Sequence, residues 1–274
     1  MIKFFIYIFN LFIRCENIQI FERSAGLTLR VLLAFFPFLV FLMALMGFLE
    51  LDVEAILVGL YSVLPSEISD LVASFVTELA ETRSAGLLSA ALFFSVYNTS
   101  NGFRAIIRIT NSSYGVQEHR GFVAEFCLSY VLMLLFSTAL IIMLALLVFG
   151  HQIWRIIFPH GSEFLFAAIS GFSALVSLFF FTALIYKFAN RKPLPLKHIL
   201  PGAAITVTLW LAASFVFGIF TRDFSQLPMI YGSIANVFIL ILWLNAVSTI
   251  LLIGNEVNAL LHEFSGGSAS TKFP

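Results

Sequence analysis

Six mainly apolar segments, each about as long as a helix that crosses a bilayer, fix the solvent in which this chain folds. They lie at 31–49, 86–109, 126–149, 164–188, 199–220 and 237–261. Hydrocarbon offers no hydrogen-bond partners, so each segment must satisfy its own backbone and is predicted to be helical. Composition agrees. Charged residues make up 11% of the chain, against roughly a quarter in a soluble domain. Mean hydropathy is +1.01 and there are 33 Phe. The expected fold class is all-α: a polytopic membrane protein with six transmembrane helices plus amphipathic N-terminal and outer-loop helices.

Orientation follows from Lys and Arg. With the N-terminus inside, the inner regions carry Lys3, Arg14, Arg23, Arg30, Arg104, Arg108, Arg120, Lys187, Arg191, Lys192, Lys197 and Lys272. The outer loops carry Arg83, Arg155 and Arg222. Twelve cations against three predict that both termini are cytoplasmic. The first outer loop is acidic, with Glu50, Asp52, Glu54, Glu67, Asp70, Glu78 and Glu81.

Two further helices are expected outside the spans. In residues 1–17, Lys3, Tyr7, Asn10, Arg14 and Asn17 share one face, and Ile2, Phe5, Ile6, Phe9, Phe12 and Ile13 the opposite one. This pattern predicts a helix lying on the inner leaflet with its cations near anionic headgroups. In the external loop at 50–85, Pro65 suits a helix start, and Ile68, Leu71, Val72, Phe75 and Leu79 form an apolar stripe. Residues 1–262 are thus expected to form one membrane domain. The Gly/Ser-rich stretch 263–274 reads as a flexible cytoplasmic tail.

Soluble-type catalytic motifs are absent: the chain has no GxSxG, HExxH, P-loop or dinucleotide fingerprint. Cys15 and Cys127 form no CxxC pattern, and the five histidines are scattered over loops and helix ends. No catalytic residue, metal or cofactor is indicated, and the zero net charge gives no general field for nucleic acid. The expected partners are membrane lipids, with an envelope protein or a second copy of the chain as the other candidates.

Polar residues inside membrane helices are costly and therefore informative. In the second span Tyr97, Asn101, Arg104 and Arg108 lie within about 60° of one face, flanked by Asn98. In the sixth, Asn245, Thr249 and Glu256 form a similar stripe. Both spans run outside to inside, so the stripes stand at matched depth. They are expected to face each other, with Glu256 close to Arg104 or Arg108. Together they would line a polar cavity open to the cytoplasm or, alternatively, make a hydrogen-bond cluster that holds the bundle. Pro37 in the first span frees the Leu33 carbonyl and is a candidate hinge.

Several stretches resemble the YihY/virulence factor BrkB family of bacterial inner-membrane proteins, formerly mislabelled ribonuclease BN. They are Leu33-Ala34-Phe35-Phe36-Pro37-Phe38-Leu39, then Asn111-Ser112-Ser113-Tyr114-Gly115-Val116 followed by Arg120, Leu200-Pro201-Gly202-Ala203, Tyr231-Gly232-Ser233, and Gly254-Asn255-Glu256-Val257-Asn258-Ala259. They occur in the family's order from about Ser24 to Leu261. One departure is Leu27-Thr28-Leu29-Arg30, where the family often has a polar-aromatic run; this gives Arg30 a role of its own. The resemblance implies six helices in a bacterial inner membrane and a function such as moving lipids or other amphiphiles. The alternative is a non-transporting scaffold that docks an envelope partner. A ribonuclease fits least, since the inner loops hold no metal-ligand cluster and no catalytic His pair.

Overall fold

The computed structural model describes residues 2–48, 66–81, 85–115, 121–157, 162–191, 194–223 and 233–265. The acids Glu50, Asp52 and Glu54 of the expected outer loop, Pro65, the Val116 and Arg120 part of one motif, the Tyr231-Gly232 half of another and the tail from 266 lie outside them. The described residues form eight helices and no strand. These are α1 (Ile2–Asn17), α2 (Ile20–Phe48), α3 (Ser66–Glu81), α4 (Ala85–Ser112), α5 (Phe122–Ile157), α6 (Glu163–Ala189), α7 (Leu196–Asp223) and α8 (Ser233–Phe264).

Five of the six long helices (α2, α5, α6, α7 and α8) are long and apolar enough to cross a membrane. The sixth, α4, has the length at 28 residues, but its polar second half lowers its hydropathy. The five apolar stretches bury only between 17% and 44% of their residues within the protein. Phe172, Phe215, Phe238 and Val131 point outward instead. In water such a surface would be untenable; in hydrocarbon it is the ordinary solvent face.

The long helices close into a ring. α2 packs against α4, α4 against α5, and then α6, α7 and α8 follow in order until α8 meets α2 again. The middle of the ring is filled. Phe136 of α5 lies 4.5 Å from the Phe181 ring of α6, 5.4 Å from Phe38 of α2 and 5.9 Å from Phe103 of α4. Leu132, Met133 and Ile107 complete this core.

α1 and α3 sit at opposite ends. At one end the chain reverses through Gln19, whose φ of 51° lies in the left-handed region, and this lets α2 begin directly after α1. At the other end α3 lays Ile68, Val72 and Val76 against Leu39, Ile239 and Trp243 of α2 and α8. The stripe read from sequence is therefore a packing face, and Asp70 and Ser74 remain exposed.

α1 corrects an expectation. Its polar face turns toward the bundle and its apolar face away from it: Phe9 and Phe12 are exposed, while the Tyr7 hydroxyl donates to the Val257 carbonyl at 3.1 Å. Arg14 is accordingly withdrawn from any headgroup. Helical period defines two faces but does not say which of them meets protein.

Candidate functional site

The stripes of α4 and α8 do not face each other. α2 stands between them through most of their length, so matched depth did not mean adjacency. Asn245 of α8 donates to Thr28 of α2 at 3.3 Å, and the Thr249 hydroxyl to the Asn245 carbonyl of its own helix. Glu256 pairs with neither Arg104 nor Arg108. Its Oε2 accepts from Nε of Arg14 at 2.5 Å. Arg108 instead holds Glu125 of α5 in a bidentate pair at 2.6 and 3.0 Å.

Around Glu256 the base of the bundle is a buried polar network. Arg14 also binds Glu263 at 2.6 Å and the Ser113 carbonyl at 2.5 Å. Burial works against its charge, but Glu256 and then Glu263 outweigh that and raise its pKa above the ordinary value. Burial likewise pushes the Tyr7 hydroxyl up to about 12, against the opposing pull of Arg14.

Three of the family-like motifs converge here, those at 111–115, 200–203 and 254–259, each for a geometric reason. Asn111 donates to the carbonyls of Ile107 and Ala189 and accepts from the Arg191 amide, tying the end of α4 to that of α6. Gly115 ends that helix with a φ of 64°, where glycine is favoured. The Gly202 amide donates to Asn258 at 2.8 Å, and Asn255 to the Thr110 carbonyl at 3.1 Å. A Cβ on Gly202 or Gly254 would overlap the facing helix, so α7 and α8 cross at backbone contact.

The remaining polar residues line a separate cavity of about 290 Å³ between α2 and α4. Its walls are Arg30 and Leu33 from α2 and Asn98, Asn101, Arg104, Ala105 and Arg108 from α4. The helices approach closely beside it: a Cβ on Gly102 would press on Ala34. Arg30, Leu33 and Arg108 are exposed, so the cavity opens sideways, onto the flank rather than into the ring. Pro37 lies within an unbroken α2, and the carbonyl that its missing N–H frees belongs to Leu33 on the cavity wall.

Arg104 is the buried member. It donates to Asn101, and its guanidinium carbon lies 5.8, 5.3 and 5.7 Å from the ring centres of Tyr97, Phe122 and Phe126. Its Nε is buried without a hydrogen-bond partner. Neither Arg104 nor Arg30 has an ion pair with a described residue. Of the residues singled out from sequence, Tyr97, Asn98, Asn101, Arg104 and Arg108 thus lie in or beside the groove, and Asn245, Thr249 and Glu256 do not. Arg30 joins it from α2. No signal in the sequence pointed to Glu125. Among the described residues no three His, Cys, Asp or Glu are grouped to hold a metal.

Comparison with known proteins settles the kinship. The profile of the virulence factor BrkB family matches residues 11–272. The chain belongs to this family. It is 34% identical over 248 residues to the ribonuclease-like protein YfkH of Bacillus subtilis (strain 168), covering 88% of this chain and 90% of that one. A UPF0761 membrane protein of Pseudoalteromonas atlantica is 24% identical over 273 residues, covering 93% of this chain and 87% of its own. One from Vibrio campbellii is 36% identical over 89 residues, 32% of this chain and 28% of that protein. No solved structure matches. This BrkB-family chain is therefore a membrane protein in which three of the family motifs build the base of the bundle, while the Leu33–Leu39 motif runs beside the groove.

Proposed function

We propose that this BrkB-family protein binds lipids or other amphiphiles from the surrounding membrane and moves their headgroups along the α2–α4 groove. The observation that carries this reading is the sideways opening of a polar groove in an otherwise apolar flank. Leu29, Phe93 and Phe94 beside it are exposed and suit acyl chains. From Arg108 to Tyr97 the polar face runs about 16 Å along the helix, roughly half the hydrocarbon thickness. A headgroup in the groove would keep polar partners while its tails stay in lipid. The sequence carries no nucleotide-binding motif, so the drive would be a gradient, a partner or the lipid's own imbalance.

Reconstitution into liposomes with a fluorescent lipid tests it. With a quencher added outside, active protein should expose the inner-leaflet label as well. Loss of only the outer-leaflet signal, equal to protein-free vesicles, would count against translocation. A scaffold that docks an envelope partner is the second reading. It is favoured by the aromatic plug at Phe136 and the exposed polar face of α3.

A further inference from the structure

We infer that the groove recognises a phosphate-monoester headgroup, and so a lipid carrying two negative charges, in preference to a zwitterionic one. This rests on the lipid reading above and names its substrate class.

The argument is one of charge. Three arginines line the groove, and Glu125 is held by two nitrogens of one of them, Arg108. Arg30 and Arg104 stand without an acidic partner among the described residues. Arg104 is fixed by aromatic faces, which orient a guanidinium without neutralising it. Unpaired charge within a membrane helix calls for a counter-charge. A guanidinium satisfies a phosphate through two parallel N–H donors, and a buried Nε without a partner is one such donor. The amides of Asn98 and Asn101 add neutral polar groups.

Headgroups differ in how well they match this set. A phosphomonoester carries about −1.5 to −2 at neutral pH and meets both unpaired arginines. A phosphodiester with a neutral alcohol meets one. A zwitterion brings an ammonium for which the groove walls offer no free carboxylate. Free phosphate shares the monoester's chemistry, but the sideways opening and the exposed leucines at 29 and 33 favour a ligand with tails.

The test is binding, measured apart from transport. The full chain is placed in phosphatidylcholine nanodiscs containing small equal fractions of phosphatidic acid, phosphatidylglycerol and phosphatidylethanolamine. Retained lipid is then counted by native mass spectrometry. Phosphatidic acid should be enriched over phosphatidylethanolamine by about tenfold or more, the scale of one charge-assisted contact. Arg30→Gln and Arg104→Gln should each lower that enrichment about tenfold. Glu125→Gln, which removes a negative charge held at Arg108, should raise it. Gel filtration and melting check folding; Arg30 is exposed, so its variant keeps the test alive if Arg104→Gln fails to fold. Equal retention of the three lipids, or a folded Arg30→Gln that retains phosphatidic acid like the parent, overturns the inference. Inorganic phosphate at tens of millimolar should leave the lipid in place, because it lacks the acyl chains that hold the lipid at the opening; displacement would overturn the lipid as source. Enrichment without lipid movement would sink translocation alone. Movement without enrichment would sink only this headgroup assignment.

Discussion

The molecule holds two arginine centres, and they are opposites. Arg14 is closed in: two carboxylates and a backbone carbonyl take its donors, and Glu256 beneath it is fully buried. Arg104 sits about a turn and a half further into the bundle than the level of Ile109. It has aromatic faces and one amide around it, no carboxylate among the described residues, and an open groove on one side. The same side chain therefore does two jobs. At the first site the charge is cancelled within the protein, and the product is a helix held to a bundle. At the second it is oriented but, among the described residues, left uncancelled, and on the proposal above an anionic headgroup completes it.

The largest effect should come from breaking the closed centre. Arg14→Gln leaves the Glu256 carboxylate buried without its cation, and removing one partner of a buried pair costs about 3–5 kcal/mol. Thermal melting in detergent should fall accordingly, with α1 becoming accessible to protease. Arg14→Gln combined with Glu256→Gln should recover much of the loss. If single and double variants melt alike, the ion pair is not what holds α1.

The dryness of that centre gives the next effect. Cys15 lies beside it, and burial, reinforced by Glu256 and partly opposed by Arg14, pushes its thiol up to about 11. At pH 8.5 its alkylation by iodoacetamide on a Cys127→Ala background should be about a hundredfold slower than that of a free thiol. The folded state holds this proton more tightly than the unfolded one. Its contribution to stability is therefore complete below the ordinary thiol value and declines as pH rises from about 9 toward 11. Alkylation at the free-thiol rate would mean that α1 lifts away from the bundle readily.

How far these centres were legible in sequence depended on what each inference needed. The long helices, the two amphipathic ones and the motif order follow from periodicity and spacing, and these the chain states directly. Adjacency is different. Glu256 and Arg108 match in depth, yet depth is a coordinate along a helix and says nothing of which helix is its neighbour. The pairing failed because α2 intervenes and because α1 supplies a cation from 242 residues away. The groove was half visible. Its α4 wall is one polar face, whereas its α2 wall is a single arginine among leucines, with no period to mark it. Glu125 opens an apolar helix and looks like a first-turn acid, and only three dimensions give it to Arg108.

At the open centre the effects on stability should be smaller. Arg104→Gln loses its place over the rings, worth about 0.5–2 kcal/mol depending on desolvation. It also removes an uncancelled charge, which works the other way. A melting change of less than about 2 kcal/mol is therefore expected, well short of Arg14→Gln. A loss as large as that of Arg14→Gln would mean that Arg104 is a structural cation with a partner of its own, and the contrast between the centres would dissolve.

Arg30→Gln should have the smallest effect, and it is the sharpest discriminator. Arg30 is exposed on the flank of α2, has no ion pair with a described residue, and follows two turns of helix that pack through Leu27 and Thr28 rather than through it. Substitutions at exposed positions away from caps, cores and networks change stability by about 0.5 kcal/mol or less. Gln and Arg have similar helix propensity, so the backbone should not register the change. In detergent, melting of Arg30→Gln should thus coincide with that of the parent. The lipid environment is where the two should part. If the groove takes an anion from the bilayer, added anionic lipid raises the parent's melting temperature, since a ligand bound only by the folded state stabilises it. Arg30→Gln should gain less from the same addition. Equal gains would show that Arg30 contributes nothing to the anion, leaving Arg104 as the arginine that would hold it.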